Sequence, residues 1–231
     1  MKARRVKRLD PRTTLTENAA RIVLVRVAEL RSFVPGALDP DASETQHDLR
    51  IAAKRLRYVL EATGFCFGRP ATTALGRAKD IQELLGEIHD ADVMLPRVHE
   101  HRRGLRVEDA THVRTRAGDA DDLDPRLAAR APHRTTYRGL EVLEVYLVAR
   151  RELLFERFIV LWEEIEGKGV WRGLERAAER ELDRVAELRA TAERAERARE
   201  ALAEAEGQRR QAEDMAAQAA AELADAERSR G

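Results

Sequence analysis

The sequence predicts an all-α fold, on three observations. Apolar residues recur at the helical period in one segment after another, charged residues make up 36% of the chain, and most glycines and prolines gather between the periodic segments. The expected architecture is an antiparallel four-helix bundle followed by a long charged C-terminal helix. Three regions follow: a basic tail over residues 1–13, a bundle over 14–171 with a mobile insertion at about 105–136, and a helical tail over 172–231.

Residues 1–12 carry six Lys/Arg and one Asp, which reads as a mobile tail adding long-range attraction for anions. Thr14 or Thr16 can cap the first helix, with Glu17 in its first turn. Leu15, Ala19, Ile22, Val23, Val27, Leu30 and Phe33 then keep the helical period up to Pro35. Arg26 falls inside that apolar stripe, so it needs either a carboxylate or a bound anion as partner. Repeated breakers from Pro35 to Ser43 make a turn. Ser43 is placed to cap the second helix, which runs to about Phe67 before Gly68 and Pro70 stop it.

Thr72 or Thr73 opens a third helix, crossed by a polar stripe of Lys79, Gln82, Gly86 and Asp90. A glycine there costs about 1 kcal/mol relative to alanine, so close approach by another helix is expected. Lys79 and Gln82 can donate to phosphate, and Asp90 can orient an Arg of the second helix. Periodicity lapses from Gly104 to Thr136, a length unusual for a structureless connection in a compact domain. The fourth helix, about Tyr137 to Glu166, has Leu140, Leu143, Leu147, Leu154, Phe158, Leu161, Trp162 and Ile165 on one face, bordered by Arg150 and Arg151. From about Leu174 to Ser229 an Ala/Glu/Arg-rich helix carries pairs such as Glu193–Arg197 one turn apart. Its apolar positions are mostly small, so a coiled coil is weakly specified.

Apolar runs such as Ile22 to Val25 are too short to span a bilayer, and no signal-peptide pattern opens the chain; a cytoplasmic location is expected. The single Cys66, between Phe65 and Phe67, reads as core. The net charge of zero is unevenly spread: residues 1–70 hold 14 Lys/Arg against 8 Asp/Glu, whereas residues 71–167 hold 15 against 19. That asymmetry favours a localised anion site over a broad basic surface. The Asp119–Asp124 cluster lacks the Gly and terminal Glu of a calcium loop, and His89, His99 and His101 have no zinc spacing. No metal, cofactor or catalytic residue is expected.

The segment His47–Glu61 keeps two faces apart. Leu49, Ala52, Ala53, Leu56, Val59, Leu60 and Thr63 form the core stripe, while His47, Arg50, Lys54, Arg57 and Tyr58 share the opposite side with Arg55 flanking them. A purely solvated face would not favour His and Tyr among its cations. Three of the four cations are Arg, whose planar fork matches phosphate oxygens.

This segment, HDLRIAAKRLRYVLE, resembles the signature H-x-x-R-x-x-x-[KR]-R-L-R of the conserved-histidine α-helical domain, the CHAD family. Leu75 to Val98, LGRAKDIQELLGEIHDADVMLPRV, resembles that family's following helix, L-K-x-L-Q-x-x-L-G-x-x-x-D. The similarity runs from about Leu15 to Arg106 and more faintly to Trp171. Most members carry two such bundles, whereas this chain has one copy of the signature.

The resemblance implies non-catalytic binding of inorganic polyphosphate, and the cation stripe agrees with it. The site would comprise His47, Arg50, Lys54, Arg55, Arg57, Tyr58, Lys79 and Gln82, with Arg26, Arg150 and Arg151 within reach. A row of cations without stacking platforms suits polyphosphate better than nucleic acid, and aromatic content is only 4%. Two alternatives stand: a subunit of a triphosphate- or polyphosphate-processing enzyme, and a structural helical protein assembling through its tail. Granule association and a homodimer restoring a two-bundle channel are further expectations.

Overall fold

A computed structural model describes residues 2–228, and among them there is no strand; the chain is 85% helical. The elements are α1 (Leu15–Ala37), α2 (Ser43–Thr63), α3 (Arg69–Ala117), the short α4 (Pro125–Ala128), α5 (Arg134–Gly167) and α6 (Val170–Arg228), with a single 3₁₀ turn at Gly64–Cys66. The class is all-α, as the periodicity predicts. α2 packs between α1 and α3, and α5 packs along α3. The chain divides into two compact units, Met1–Glu181 and Leu182–Gly231.

In the first unit the predicted core stripes meet. Ala20, Val23, Val27 and Leu30 of α1, Leu49, Ala53 and Leu56 of α2, Ile81, Leu85 and Ile88 of α3, and Phe158 and Ile165 of α5 are all buried. Thr14 caps α1 by accepting from the Glu17 backbone N–H at 3.2 Å. α1 continues through Pro35 to Ala37, two residues further than its periodicity suggests. α2 begins at Ser43 without a side-chain cap. At Gly68 a φ of 62° reverses the chain between the 3₁₀ turn and α3, a backbone conformation that favours glycine. The start of α6 is buried through Trp171, Leu174, Ala177 and Ala178, and Glu175 pairs with Arg31 of α1.

α3 and α5 run antiparallel, since the first residue of α3 to pair meets the latest in α5 and the last meets the earliest. Arg77 meets Glu164, Glu87 meets Arg150, Asp92 meets Arg151 and Arg102 meets Glu144. α3 does not stop near Gly104 but runs on to Ala117, so residues 105–117 of the expected insertion are helix. Leu105, Asp109 and Val113, one turn apart, are its buried positions there. Asp109 accepts from the Tyr137 hydroxyl at 2.7 Å and from the His133 backbone N–H at 3.2 Å, and its Oδ1 lies 2.8 Å from His133 Nδ1. Burial pushes the Asp109 pKa up, but hydrogen bonds from Tyr137 and His133 outweigh it and hold the carboxyl below its ordinary value. Burial and the Asp109 carboxylate together push the Tyr137 phenol up to about 12.

The basic N-terminal segment lies along α1 rather than extending as a free tail. The Arg4 backbone N–H donates to Glu29 Oε1 at 3.0 Å, the Arg4 carbonyl accepts from Arg26 at 2.6 Å, and the Arg8 carbonyl accepts from Arg21 at 2.6 Å. In the second unit, α6 has no buried residue among those described. Ion pairs one turn apart, Glu193–Arg197 at 3.4 Å and Arg209–Glu213 at 2.9 Å, support it as a solvated helix. Ser229 at the expected tail end lies outside the described residues.

Candidate functional site

The cations of α2 divide between the two flanks of that helix. His47, Arg50, Arg57 and Glu61 follow steps of three, seven and four residues along the edge facing α3, whereas Arg55 is rotated by about 100° from Lys54 toward α1. Lys54 and Tyr58 stand on the ridge between. On α3, Lys79, Gln82, Gly86 and His89 follow steps of three, four and three residues and meet the α2 edge in reverse order. His47 meets His89, with ring centroids 4.5 Å apart. Three residues on, the Arg50 Nε sits 3.3 Å from where a Cβ on Gly86 would stand. At the far end Glu61 Oε1 lies 3.5 Å from both Arg57 Nε and Lys79 Nζ, binding the two helices together.

Within this seam, His47 Nδ1, Arg50 Nε, Arg57 Nε and Gln82 Oε1 are buried and make no hydrogen bond. The Arg57 Nε is at ion-pair distance from Glu61 without forming a hydrogen bond to it. Native proteins rarely leave such atoms unsatisfied, and each costs about 1–3 kcal/mol. Burial lowers the His47 pKa below 6.5, and the neighbouring His89 and Arg50 lower it further against a smaller opposing pull from Asp48. The free seam thus favours a neutral imidazole beside fixed guanidinium charges. Tyr58 is 50% exposed and carries Arg57 over its ring at 4.6 Å and Lys54 at 5.8 Å. Both cations are thereby held up at the surface.

Four of the predicted site cations are engaged elsewhere. Arg26 and Arg55 both pair with the fully buried Glu29, Arg55 at 3.0 Å, so the inward-facing Arg26 finds a carboxylate. Arg150 pairs with Glu87. Arg151 binds Asp92 at 2.6 Å, the Pro40 carbonyl at 2.8 Å and Gln46 at 3.2 Å, tying α5 to the α1–α2 turn. Arg55, Arg150 and Arg151 hold helices together, and Arg26 holds the N-terminal segment to α1. Asp90 is exposed and makes no ion pair among the described residues; His89, one residue earlier, occupies the place on the seam expected for it. Periodicity could have offered His89 as readily as Asp90, because the two lie equally far, about 50°, from the mean direction of 79, 82 and 86. It could also have found Glu29, three residues from Arg26 on the same helix.

The seam that gathers His47, Arg50, Lys54, Arg57, Tyr58, Lys79 and Gln82 therefore combines fixed positive charge with unused hydrogen-bonding capacity. An oxyanion offers acceptors for the first and for the Arg donors of the second. No curated protein and no solved structure matches this sequence. Residues 2–99, which take in the pinned N-terminal segment, all of α1 and α2 and the part of α3 that lines the seam, match the model of the CHAD domain.

Proposed function

We propose that this protein binds inorganic polyphosphate along the α2–α3 seam without chemically altering it. The observation that carries this reading is the pair of buried, unsatisfied donor nitrogens on Arg50 and Arg57, which share one edge of α2 with the His47 ring. A chain of phosphates presents oxygens at regular intervals, and a row of donors on two antiparallel helices matches that regularity. Lys54 and Lys79 add point charge at the rim, and the Tyr58 ring keeps Arg57 and Lys54 raised. Arg26, Arg55, Arg150 and Arg151 support the helices that carry the site. Cytoplasmic residence with access to polyphosphate granules accords with this role.

Purified protein incubated with polyphosphate tests the proposal. We expect retention of the polymer on a filter, no release of orthophosphate, and a linear fall of log affinity with log salt as counterions are displaced. Arg50→Ala/Arg57→Ala should weaken binding by at least about tenfold while each substitution changes stability by about 0.5 kcal/mol. Phosphate release would favour the enzyme-subunit reading instead, and undiminished binding by the double variant would remove the seam from the site.

A further inference from the structure

α5 has two apolar faces. One, through Leu147, Leu154, Phe158 and Ile165, is buried. The other lies about 140° around the helix and consists of Val142, Val145, Tyr146, Leu153 and Val160, which are 56–68% exposed. Exposed aliphatic residues scattered singly need no explanation, but five on one helical stripe form a contiguous patch of the kind that marks an interface. Helical spacing fixes the stripe at about 27 Å from Val142 to Val160.

The stripe is complementary to a reversed copy of itself. Val142 and Val160 stand nine residues either side of position 151, and Ala149 and Leu153 two residues either side. Tyr146 and Glu156 lie five residues either side, so a reversed copy sets the phenol level with a carboxylate that can accept its hydrogen. Charge selects the direction of pairing. The exposed Arg138 lies at one end of the stripe and the exposed Glu163 at the other. A reversed copy sets Arg138 against Glu163 at both ends, whereas a parallel copy sets like charges together. Among the described residues, the exposed large apolar residues of α6 are Leu188, Leu202 and Met215, spaced 14 and 13 residues apart, so they form no equivalent stripe.

We infer that the chain forms a twofold dimer in which α5 packs antiparallel on α5 of a second copy through the stripe Val142–Val160. This surface is separate from the α2–α3 seam and does not depend on what the seam binds.

Sedimentation of the full-length protein over a concentration series tests the inference. The expected species is twice the 26.1 kDa chain mass. Leu153→Glu, which puts a carboxylate at the centre of the stripe, should raise the dimer dissociation constant at least about tenfold with unchanged helical circular dichroism. In a Cys66→Ser background, Ala149→Cys chains mixed with Leu153→Cys chains should form a disulfide between chains on mild oxidation, because a reversed copy sets these two positions level. Val142→Cys should not, because its two copies would stand roughly 27 Å apart along the axis. A strict monomer at every concentration, a dimer indifferent to Leu153→Glu, or cross-linking of Val142→Cys as readily as the Ala149→Cys and Leu153→Cys mixture would each overturn it.

Discussion

The Arg50 guanidinium fills the space that a side chain at position 86 would need: its Nε lies 3.3 Å from where the Gly86 Cβ would stand, and its Nη2 3.9 Å. Gly86 therefore serves a cation and not a helix backbone. Gly86→Ala should remove the glycine penalty and stabilise α3 by up to about 1 kcal/mol, while pushing Arg50 out of the row. Urea denaturation and polyphosphate titration of one preparation should thus move in opposite directions, with stability rising as affinity falls several-fold. Equal affinity for the variant and the parent would separate Arg50 from binding.

Glu29 is the buried counter-charge for Arg26 and Arg55 and the acceptor for the Arg4 backbone N–H. Glu29→Gln leaves the buried Arg26 charge without its partner, and about 3–5 kcal/mol of stability should be lost. Arg55→Ala should cost less, since Glu29 keeps Arg26 and Arg4. Trypsin should cut within residues 2–12 faster in Glu29→Gln, because the carboxylate that pins that segment is gone. Slow cleavage in the variant would mean that the other contacts of the segment suffice.

On the proposed function, His47 should couple binding to pH. Its folded pKa lies below 6.5, so the neutral ring is favoured, and the stability this confers is complete above 6.5 and is lost as pH falls through the folded pKa. A polyanion beside the ring reverses the preference and raises the pKa. Affinity should therefore increase as pH drops from about 8 to 5.5, by at most about tenfold per unit for one proton. NMR titration of the His47 ring with and without polyphosphate reads the shift directly, and His47→Gln should flatten the pH dependence that His47 contributes.

The Asp109–Tyr137–His133 cluster fastens the start of α5 to the end of α3. Asp109 has a lowered pKa, so its contribution is present above the usual carboxylate value of about 4 and fades as pH falls through the lower folded value. Tyr137 has a raised pKa, so its contribution is present below about 10 and is lost as pH climbs toward about 12. Hydrogen-exchange protection of residues 118–133, with rates divided by the intrinsic rate at each pH, should be greatest between those limits and weaker at both edges. Tyr137→Phe should speed exchange throughout the window and remove the alkaline edge.

Periodicity alone carried the helix classes, the core face of α2 and the cationic edge that it shares with α3. It failed where one polar residue is buried by a distant partner. Asp109 breaks the apolar rhythm after Gly104, and nothing local reveals that His133 and Tyr137 satisfy it, so thirteen residues of helix read as loop. The same limit misplaced Arg55. One hundred degrees of rotation separates it from Lys54, too little to assign a side without knowing that Glu29 of α1 waits there. Arg150 and Arg151 are a third instance, because their carboxylate partners stand roughly sixty residues away in sequence.

The order in which the helices pack has a consequence for synthesis. α1 pairs with α2, α2 with α3 and α3 with α5, so every major partnership joins near neighbours along the chain. Such low contact order favours rapid folding, and N-terminal elements can settle while the ribosome is still adding later ones. The α2–α3 seam needs nothing beyond about residue 90 for its side chains to meet. A nascent chain with α5 still in the exit tunnel would already possess its row of guanidinium groups, so capture of a polyanion could begin before translation ends.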